Sequence, residues 1–438
     1  MLDIKFIREN KALVEAAARK KRVAVDINAL LATDDHRRAL QQQFDEVNRA
    51  RNELAEQGKE GKPSAEHIAE GKRLKEQSLA LENDMRVAEE ELHRLAYVIP
   101  NVPTADTPEG SDESGNQIIK EWGEKPKFDF EPKAHWDLGT ALDIIDNERA
   151  AKVSGARFTY LKRDAALMEY ALIQFALSIL INREKIADII REEKLDLPDT
   201  PFVPVVPPIF IKPDIFEKMA RLNPKEERYH IPSDDLYLIG SAEHTLGPIH
   251  MDEIIVEHEL PLRYVAFSPA LRREAGAAGK DTRGIIRLHE FHKLEMETFS
   301  MPEQGLAEHK LLIAVEEHLL QQLNLPYQVL LKCVGDIGDP NARGVDINTW
   351  MPGQDRYCET HTADYMTDYQ ARRLNTRLRR TDNTLTFAHM NDATALAIGR
   401  MLAAILENYQ NADGSVRIPD VLQSYLGGRS IITPVASR

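Results

Sequence analysis

Four short stretches in the second half of the chain carry polar side chains of the kinds that bind or activate substrates. They span residues 238–243, 271–295, 357–362 and 389–400. In the first, Ser241 lies two residues before Glu243, which would put the hydroxyl and the carboxylate on one face of a strand. The second predicts two strands joined by a glycine-rich loop, with polar side chains on both strands. Arg272 and Glu274 would share a face of the outgoing strand, and the returning strand would carry Arg287, Phe291 and Glu295.

Taken one at a time, these residues have ordinary structural explanations. Alternating arginine and glutamate is most often a cross-strand ion pair, and an isolated phenylalanine such as Phe291 is more often part of a core. A single glutamate such as Glu243 or Glu295 is more often structural than catalytic. The two common nucleotide-binding loops, GxxxxGK[ST] and GxGxxG after a strand, are absent from the sequence. Only the combination of the four stretches therefore indicates a particular chemistry.

The elements that would position these residues are short strands and longer helices that do not alternate regularly. Helices are predicted at 164–193 and 307–322, and strands at 203–211, 237–240, 264–268, 285–290 and 384–390. This order argues against a doubly wound parallel sheet. It favours an α+β domain with a mainly antiparallel sheet flanked by helices.

Residues 34–98 have a different pattern. Leu74, Leu81, Ala88 and Leu95 recur every seven residues, and a similar apolar seam in the first half is broken by Arg51. Helix-breaking residues at 58–64 predict a turn, so the segment should form an antiparallel coiled-coil hairpin. Its basic residues are interleaved with acidic ones, and a dimerisation or spacer coiled coil explains the pattern as well as RNA binding does.

The composition excludes several classes of protein. The 438 residues include 56 Lys and Arg against 71 Asp and Glu, a net charge of −15, which argues against a coat for nucleic acid or anionic membranes. The two cysteines, Cys333 and Cys358, form no metal-binding motif, which argues against structural zinc and favours a reducing compartment. A charged beginning and the lack of an 18-residue apolar run predict a cytoplasmic protein with no membrane segment.

Together the four stretches resemble the motifs of class II aminoacyl-tRNA synthetases, and specifically those of the seryl-tRNA synthetase family of bacterial type. The segments that carry the resemblance are MLDIKFIREN, the heptad arm, Pro207-Pro208, REAGAAGKDTRG, TDYQARR, AIGR…AILENYQ and residues 413–428. The combination of REAGAAGKDTRG with TDYQARR is the most specific part, and the resemblance covers nearly the whole chain. It implies a tRNA-binding helical domain at 1–103, a linker at 104–117 and a class II catalytic domain at 118–438.

The resemblance implies that the enzyme activates an amino acid with ATP and Mg²⁺. Arg272 and Arg400 would be the catalytic residues, the first holding the α-phosphate and the amino-acid carboxylate, the second the far phosphates. Phe291 would stack on adenine. Glu359 and Thr362 would hold Mg²⁺, which prefers hard oxygen ligands. The implied ATP-binding residues are Arg272, Arg273, Glu274, Arg287, Phe291, Glu359, Thr360, His361, Thr362 and Arg400.

The amino acid implied by the resemblance is L-serine, with Glu243 binding its ammonium group and Glu295 its hydroxyl. The implied serine-binding residues are Ser241, Ala242, Glu243, Arg272, Glu295, Asp392 and Thr394. A site built to hydrogen-bond a hydroxyl rejects the analogue that lacks it by roughly 10⁴–10⁵, so alanine could be excluded without editing. The other implied partners are tRNA(Ser), tRNA(Sec) where that tRNA exists, and a second copy in a homodimer. The arm residues implied in tRNA binding are Arg49, Arg51, Lys59, Lys62, Lys72, Arg73 and Lys75.

The chain departs from the family pattern around the amino acid. Ser241 replaces a threonine, His361 and Asp392 add titratable groups, and Asp392 could help to bind the ammonium group, whereas His361 could pair with Asp364 or Asp392. If Asn391 takes the place of the family's asparagine, the strand must carry a one-residue bulge. The family's TGQ-type loop is also missing, its region at 217–229 containing no glycine.

These departures leave two alternatives open. One is a related enzyme with a changed amino acid or acceptor, which the altered pocket favours and the retained arm opposes. The other is a non-catalytic RNA-binding or scaffold protein, which the retained ATP-binding residues oppose.

Overall fold

The computed structural model describes residues 1–57, 64–275 and 283–434. These residues form two compact units, Met1–Val102 and Pro103–Arg438. The sequence-predicted turn at 58–64 and the glycine-rich loop of REAGAAGKDTRG lie largely outside the described residues.

The first unit is helical. Its helices are α1 (Ile4–Glu9), α2 (Lys11–Lys20), α3 (Ile27–Gln57) and α4 (Ala65–Tyr97). The two long helices pack through a narrow apolar seam with the buried residues Leu40, Val47, Leu74, Leu81 and Ala88, the heptad pattern seen in the sequence. The interruption at Arg51 is accommodated because its Nη1 donates to Ser78 Oγ across the seam at 3.0 Å. The arm is therefore a coiled-coil hairpin with one polar layer.

The second unit is built around a sheet with helices against it. Its helices are α5 (His135–Ala141), α6 (Asn147–Ser154), α7 (Arg163–Leu180), α8 (Arg183–Glu192), α9 (Pro213–Lys218), α10 (Glu243–Leu246), α11 (Gly305–Gln322), α12 (Tyr369–Leu374), α13 (Ile398–Asn408) and α14 (Asp420–Gln423). Its strands are β1 (Gln117–Trp122), β2 (Ile145–Asp146), β3 (Tyr160–Leu161), β4 (Val203–Val205), β5 (Phe210–Ile211), β6 (His230–Ile231), β7 (Leu236–Leu238), β8 (Ile254–Val256), β9 (Leu262–Leu271), β10 (Glu290–Ser300), β11 (Tyr327–Leu331), β12 (Arg343–Met351), β13 (Arg356–Thr367), β14 (Arg377–Arg379), β15 (Leu385–Phe387), β16 (His389–Ala397), β17 (Val416–Arg417) and β18 (Ile431–Ile432).

The central sheet has the strand order β1-β11-β12-β13-β16-β10-β9-β4. Its neighbouring strands are antiparallel except for β4, which lies parallel to β9. This confirms the predicted α+β fold with a mainly antiparallel sheet flanked by helices.

The two faces of the sheet differ in chemistry because side chains alternate along each strand. One face carries apolar residues such as Leu294, Met296 and Ala393, which join the main core with residues of α7, α11 and α13. The other, here called the polar face, carries the intervening residues. Those used below are Lys293, Glu295, Glu297, Asp346, Glu359, Thr362, Asp364, Asp392 and Thr394.

Several sequence-predicted elements were wrong in extent. The helix predicted at 164–193 is two helices, because the side chain of Asn182 caps α8 by accepting from the backbone N–H groups of Glu184 and Lys185. The strand predicted at 203–211 is two short strands separated by Pro207-Pro208. The strand predicted at 285–290 begins only at its last residue, Glu290; before it the N–H of Ile285 donates to Nε2 of buried His135 at 3.2 Å.

Within the described ranges, no single helix is both long and apolar enough to cross a membrane. The bent pair α7 and α8, which turn by 72° between them, passes such a test by length and composition alone.

Candidate active site

One cleft beside the sheet brings together half of the side chains predicted to bind ATP. Its lining includes Arg272, Glu274, Arg287, Phe291 and Arg400. The strand β9 ends at Leu271, so Arg272 and Glu274 follow the strand and do not lie on it as predicted. The Arg272 guanidinium lies 5.4 Å from the centre of the Phe291 ring. The cleft therefore presents an aromatic ring beside arginine donors, a suitable arrangement for a base joined to phosphates.

Glu274 and Arg287 form an ion pair in this cleft. Arg287 Nη1 donates to Glu274 Oε2 at 2.6 Å, and Glu274 has a left-handed backbone with φ 50°. The neighbouring Arg273 is placed differently, since it is exposed and its guanidinium lies 5.9 Å from the Tyr229 ring. The structure thus groups Glu274 and Arg287 with Phe291 and leaves Arg273 apart from them.

A β-bulge at Thr360 decides which residues of β13 reach the polar face. Ile347 pairs with His361 and Asn348 with Glu359, so Thr360 has no opposite residue. Residues three apart normally point to opposite faces, but this extra residue puts Glu359 and Thr362 on the same face. The side chains of Thr360 and His361 are 1% exposed. Both residues are therefore buried within the sheet and do not face the cleft.

His361 does not pair with Asp364 or Asp392, the two partners considered from the sequence. Its Nδ1 lies 2.9 Å from Thr360 Oγ1. Burial lowers the pKa of His361 to about 3, so the ring is neutral near pH 7.

Glu359 and Thr362 form an oxygen-rich edge next to Arg400. Arg400 Nη1 donates to Glu359 Oε1 at 2.8 Å and to the Glu359 carbonyl at 2.9 Å. Desolvation alone would raise the pKa of Glu359, but the charges of Arg400 and Lys332 lower it to about 2. Thr362 Oγ1 is buried, and Thr362 lies opposite Asp346 of β12. An ionised carboxylate beside a hydroxyl suits a hard cation such as Mg²⁺.

Protein side chains alone do not complete a metal site there. Among the described residues, no group of three or more His, Cys, Asp or Glu side chains could hold a metal ion. Mg²⁺ usually takes one or two protein ligands and completes its shell with water and substrate phosphates. The donor set is therefore compatible with a phosphate-bridging Mg²⁺.

Glu295 is the centre of a buried network on the polar face. Ser241 Oγ and Thr394 Oγ1 each donate to its Oε1 at 3.1 Å, and Lys293 Nζ contacts the same oxygen. Burial, opposed by Lys293, raises the pKa of Glu295 to about 7. These donors therefore converge on Oε1 of Glu295.

Glu243 lies beside this network, at the start of α10. The stretch 238–243 is not a strand beyond Leu238, so the predicted strand placement of Ser241 and Glu243 was wrong. Glu243 Oε2 is buried without a hydrogen-bond partner. Burial would raise the pKa of Glu243, but His244, Lys293 and Arg221 lower it to about 2. Burial also lowers the pKa of His244 to about 3, which leaves the two cations as the stabilising charges at neutral pH.

The remaining predicted serine-binding residues have distinct positions. Ala242 is buried and contributes no polar side chain. On β16 a bulge at Ala395 puts Thr394 opposite Glu295 and Asp392 opposite Glu297, so both face the polar side. Asn391 points to the helix side, where its Nδ2 donates to Thr298 Oγ1 at 3.1 Å and to the Gly305 carbonyl at 3.2 Å. Asp392, and not Asn391, therefore lies on the polar face with Glu295.

Most of the arm residues predicted to bind tRNA are exposed. Arg49, Lys72, Arg73 and Lys75 lie at the surface of the hairpin, although Arg73 is paired with Glu70 at 2.6 Å. Arg51 is only partly exposed because it binds Ser78. Lys59 and Lys62 lie outside the described residues.

Lys293 and Arg221 are cations of the site that, like Lys332, were not proposed from the sequence. Lys293 could have been found, since it lies two residues before Glu295 and must share its face of the strand. Arg221 could not, because it comes from the loop after α9 and its Nη2 donates to Asp392 Oδ2 at 2.8 Å across 171 positions of sequence.

Comparison with known proteins places this geometry in a family. Residues 1–103 match the model for the seryl-tRNA synthetase N-terminal domain, and residues 228–409 match that for the class II tRNA synthetase core domain (G, H, P, S and T). The serine–tRNA ligase of Symbiobacterium thermophilum is 40% identical over 97% of this chain and 98% of its own length. That of Coprothermobacter proteolyticus is 39% identical over 97% and 100%.

A solved structure is similar over the same extent. Seryl-tRNA synthetase from Pyrococcus horikoshii, determined in complex with ATP, is 36% identical, with a TM-score of 0.87 over 99% of this chain and 100% of that one. The chain belongs to the seryl-tRNA synthetase family.

Proposed function

We propose that this protein is a serine–tRNA ligase that forms seryl-adenylate from L-serine and ATP and then transfers serine to tRNA(Ser). The observation that carries the proposal is the continuity of two subsites on one sheet. Arg272 of the nucleotide cleft donates to the Gly240 carbonyl, and the next residue, Ser241, donates to Glu295. Glu295 and Glu243 would bind the hydroxyl and the ammonium group of the amino acid. Relatives that match over the full chain carry the same activity in their names.

In the first step a serine carboxylate oxygen attacks the α-phosphorus of ATP, and the bond from that phosphorus to the bridging oxygen of pyrophosphate breaks. Little covalent chemistry is required of the protein, which must align the reactants and neutralise charge. Arg272 would hold the α-phosphate and the serine carboxylate together, since a guanidinium can serve two anions at once. Its Nε is held by the Gly240 carbonyl at 3.0 Å, which leaves the terminal nitrogens for substrate.

Arg400 and Glu359 would act on the outer phosphates. Arg400 Nη1 lies 2.8 Å from Glu359 Oε1, and the phosphates would compete for this guanidinium. Glu359 and Thr362 would then hold Mg²⁺, which when bound neutralises the polyphosphate and aids departure of pyrophosphate.

Serine would be recognised at both ends. Its ammonium group would meet Glu243 Oε2, a buried and unpartnered oxygen. Its hydroxyl would donate to Glu295 Oε2, whose companion Oε1 is already occupied by Ser241 and Thr394. Alanine would leave this buried carboxylate unsatisfied, which is the physical basis of its exclusion.

In the second step a hydroxyl of the terminal ribose of tRNA attacks the carbonyl carbon of seryl-adenylate, and AMP leaves. We assign the helical unit to tRNA binding and the second unit to catalysis, with domain limits at 1–103, 104–117 and 118–438. The arm's exposed basic residues support the first assignment. Homodimer formation, charging of tRNA(Sec) and a cytoplasmic location stay predictions from the sequence.

The activation step is tested by ATP–pyrophosphate exchange with a panel of amino acids. Serine should support exchange, and Arg272→Ala should abolish it while leaving tRNA binding nearly unchanged. Exchange with another amino acid but not with serine would favour the related enzyme of changed specificity, and no exchange at all would favour the non-catalytic alternative.

The arm is tested separately by deleting about residues 39–94. Serine-dependent exchange should survive the deletion, whereas charging of tRNA should be lost. Unchanged charging by the shortened protein would contradict the assignment of the arm.

A further inference from the structure

A row of three buried carboxylates lies next to the pocket assigned to serine. Asp364 on β13 is opposite Asp392 on β16, which is opposite Glu297 on β10. These three residues, here called the carboxylate rung, are 7%, 5% and 0% exposed. Like charges directly opposite each other in a sheet are destabilising, so the rung requires a proton, a cation or both.

A proton accounts for Glu297. Both of its carboxylate oxygens lack hydrogen-bond partners among the described residues. Burial, together with the nearby Asp392, raises the pKa of Glu297 well above its ordinary value. Burial also raises the pKa of Asp392, to about 8, but Asp392 has Arg221 2.8 Å away. Arg221 opposes this rise and favours the charged form of Asp392, so a proton in the pair is better placed on Glu297.

A cation accounts for the other two carboxylates. Arg221 Nη2 lies 2.8 Å from Asp392 Oδ2 and 3.7 Å from Asp364 Oδ2. The segment that carries it is anchored from two sides. The carbonyl oxygen of Arg221 accepts hydrogen bonds from the Arg228 guanidinium at 2.8 and 3.1 Å. The carbonyl oxygen of nearby Met219 accepts a hydrogen bond from the Gln370 side chain at 2.9 Å. The guanidinium is thus held in place over the rung.

The rung lies next along the strands to the pair formed by Thr394 and Glu295, the residue that would bind the serine hydroxyl. Glu297 and Asp392 are each two residues from Glu295 and Thr394 on the same strands and the same face. Two residues of a strand span about 7 Å. An unbranched side chain of lysine length that followed the serine hydroxyl direction would bring its ammonium group within hydrogen-bonding reach of the rung.

We propose that Arg221 is a specificity-determining residue of the amino-acid site. Its guanidinium occupies the position that Asp364 and Asp392 form for a cation. Because the protein itself fills this position, amino acids whose side chains end in a cation cannot bind there. This inference rests on the proposed function, because it assumes that serine lies between Glu243 and Glu295. It also gives a role to the segment 217–229, which departs from the family pattern, because this segment supplies Arg221 to the site.

The test is ATP–pyrophosphate exchange with L-serine, L-lysine, L-ornithine and L-norleucine on full-length wild type and Arg221→Ala. Of these four amino acids, wild type should use serine with by far the highest kcat/KM, a result that tests the proposed function by itself. In Arg221→Ala the ratio of kcat/KM for lysine to that for serine should rise about 100-fold, the order expected for charge-assisted hydrogen bonds to two carboxylates. Norleucine, which has the length but not the charge, should show no such rise.

Three further variants separate charge from fold. Arg221→Lys keeps a cation over the rung and should keep the wild-type preference. The double variant Arg221→Ala with Asp392→Asn should lose most of the gain with lysine. Arg221→Gln keeps most of the side-chain volume and should show a smaller gain even if Arg221→Ala does not fold. A folded Arg221→Ala or Arg221→Gln protein with unchanged lysine-to-serine ratios, or an equal gain with norleucine, would overturn the proposal.

Discussion

Replacing Glu295 by glutamine removes one charge from the site while keeping the shape of the side chain. In the structure Oε1 of Glu295 is contacted by the side chains of Ser241, Thr394 and Lys293. The substituted amide can keep its carbonyl oxygen toward these donors, and its NH₂ group then replaces Oε2 as the atom that faces the serine hydroxyl. The substitution therefore changes the atom proposed to bind the serine hydroxyl more than it changes the contacts of the other oxygen.

The expected loss follows from the value of a hydrogen bond to a charged group. Such a bond contributes roughly 1.5–3 kcal/mol, which corresponds to about 10- to 150-fold in kcat/KM for serine. Alanine lacks the hydroxyl, so its own weak activation should change less. The ratio of kcat/KM for serine to that for alanine should thus fall by about the same factor. A general loss of active protein would lower both values equally and leave this ratio unchanged.

The same variant should change the pH profile of serine activation. Burial raises the pKa of Glu295 to about 7. Because the ionised carboxylate is the form that accepts the hydroxyl proton, kcat/KM for serine in the wild type should fall as the pH drops through about 7. The glutamine variant has no such group to protonate and should lack this acid limb. An unchanged serine-to-alanine ratio in a folded variant, with the acid limb intact, would refute the assignment of Glu295.

Three other results are expected. Arg263→Met should lower the free energy of unfolding, measured by urea titration, by about 3–5 kcal/mol, because it leaves fully buried Glu308 without its bidentate partner. The control variant Arg380→Met should leave the urea midpoint nearly unchanged. Thr362→Val should raise the Mg²⁺ concentration for half-maximal exchange by about tenfold or more, whereas Thr362→Ser should not. Affinity for tRNA should fall with salt, with a slope of log K against log salt of about −3, whereas exchange should vary little; a flat salt dependence would contradict phosphate contacts from the arm.

The repeating patterns of the sequence located much of the fold. The seven-residue spacing of Leu74, Leu81 and Ala88 identified the arm, and these residues are buried in its seam. The returning strand of the second stretch was predicted at 285–290 with Glu295 following on it, whereas the observed strand β10 begins at Glu290 and does carry Glu295. Ile285 is β-branched and resembles a strand residue, but its backbone is bound to His135, about 150 positions away.

The faces of two strands in the site could not be predicted because each depends on a bulge. Alternation along β13 alone would separate Glu359 from Thr362, and only pairing with β12 shows that Thr360 is the extra residue. The bulge at Ala395 likewise appears only in the pairing of β16 with β10. The chemistry of these residues was available from the resemblance, but their shared face is a property of the folded sheet.

The most direct test of the central claim is acylation of purified tRNA(Ser) by the purified full-length protein with radiolabelled amino acids. The proposed function predicts serine-dependent, ATP-dependent labelling of the 3′ end, with no labelling by alanine at equal concentration. Stable activation of serine without transfer to tRNA would contradict the acceptor, and labelling by a different amino acid in place of serine would contradict the whole assignment of the pocket.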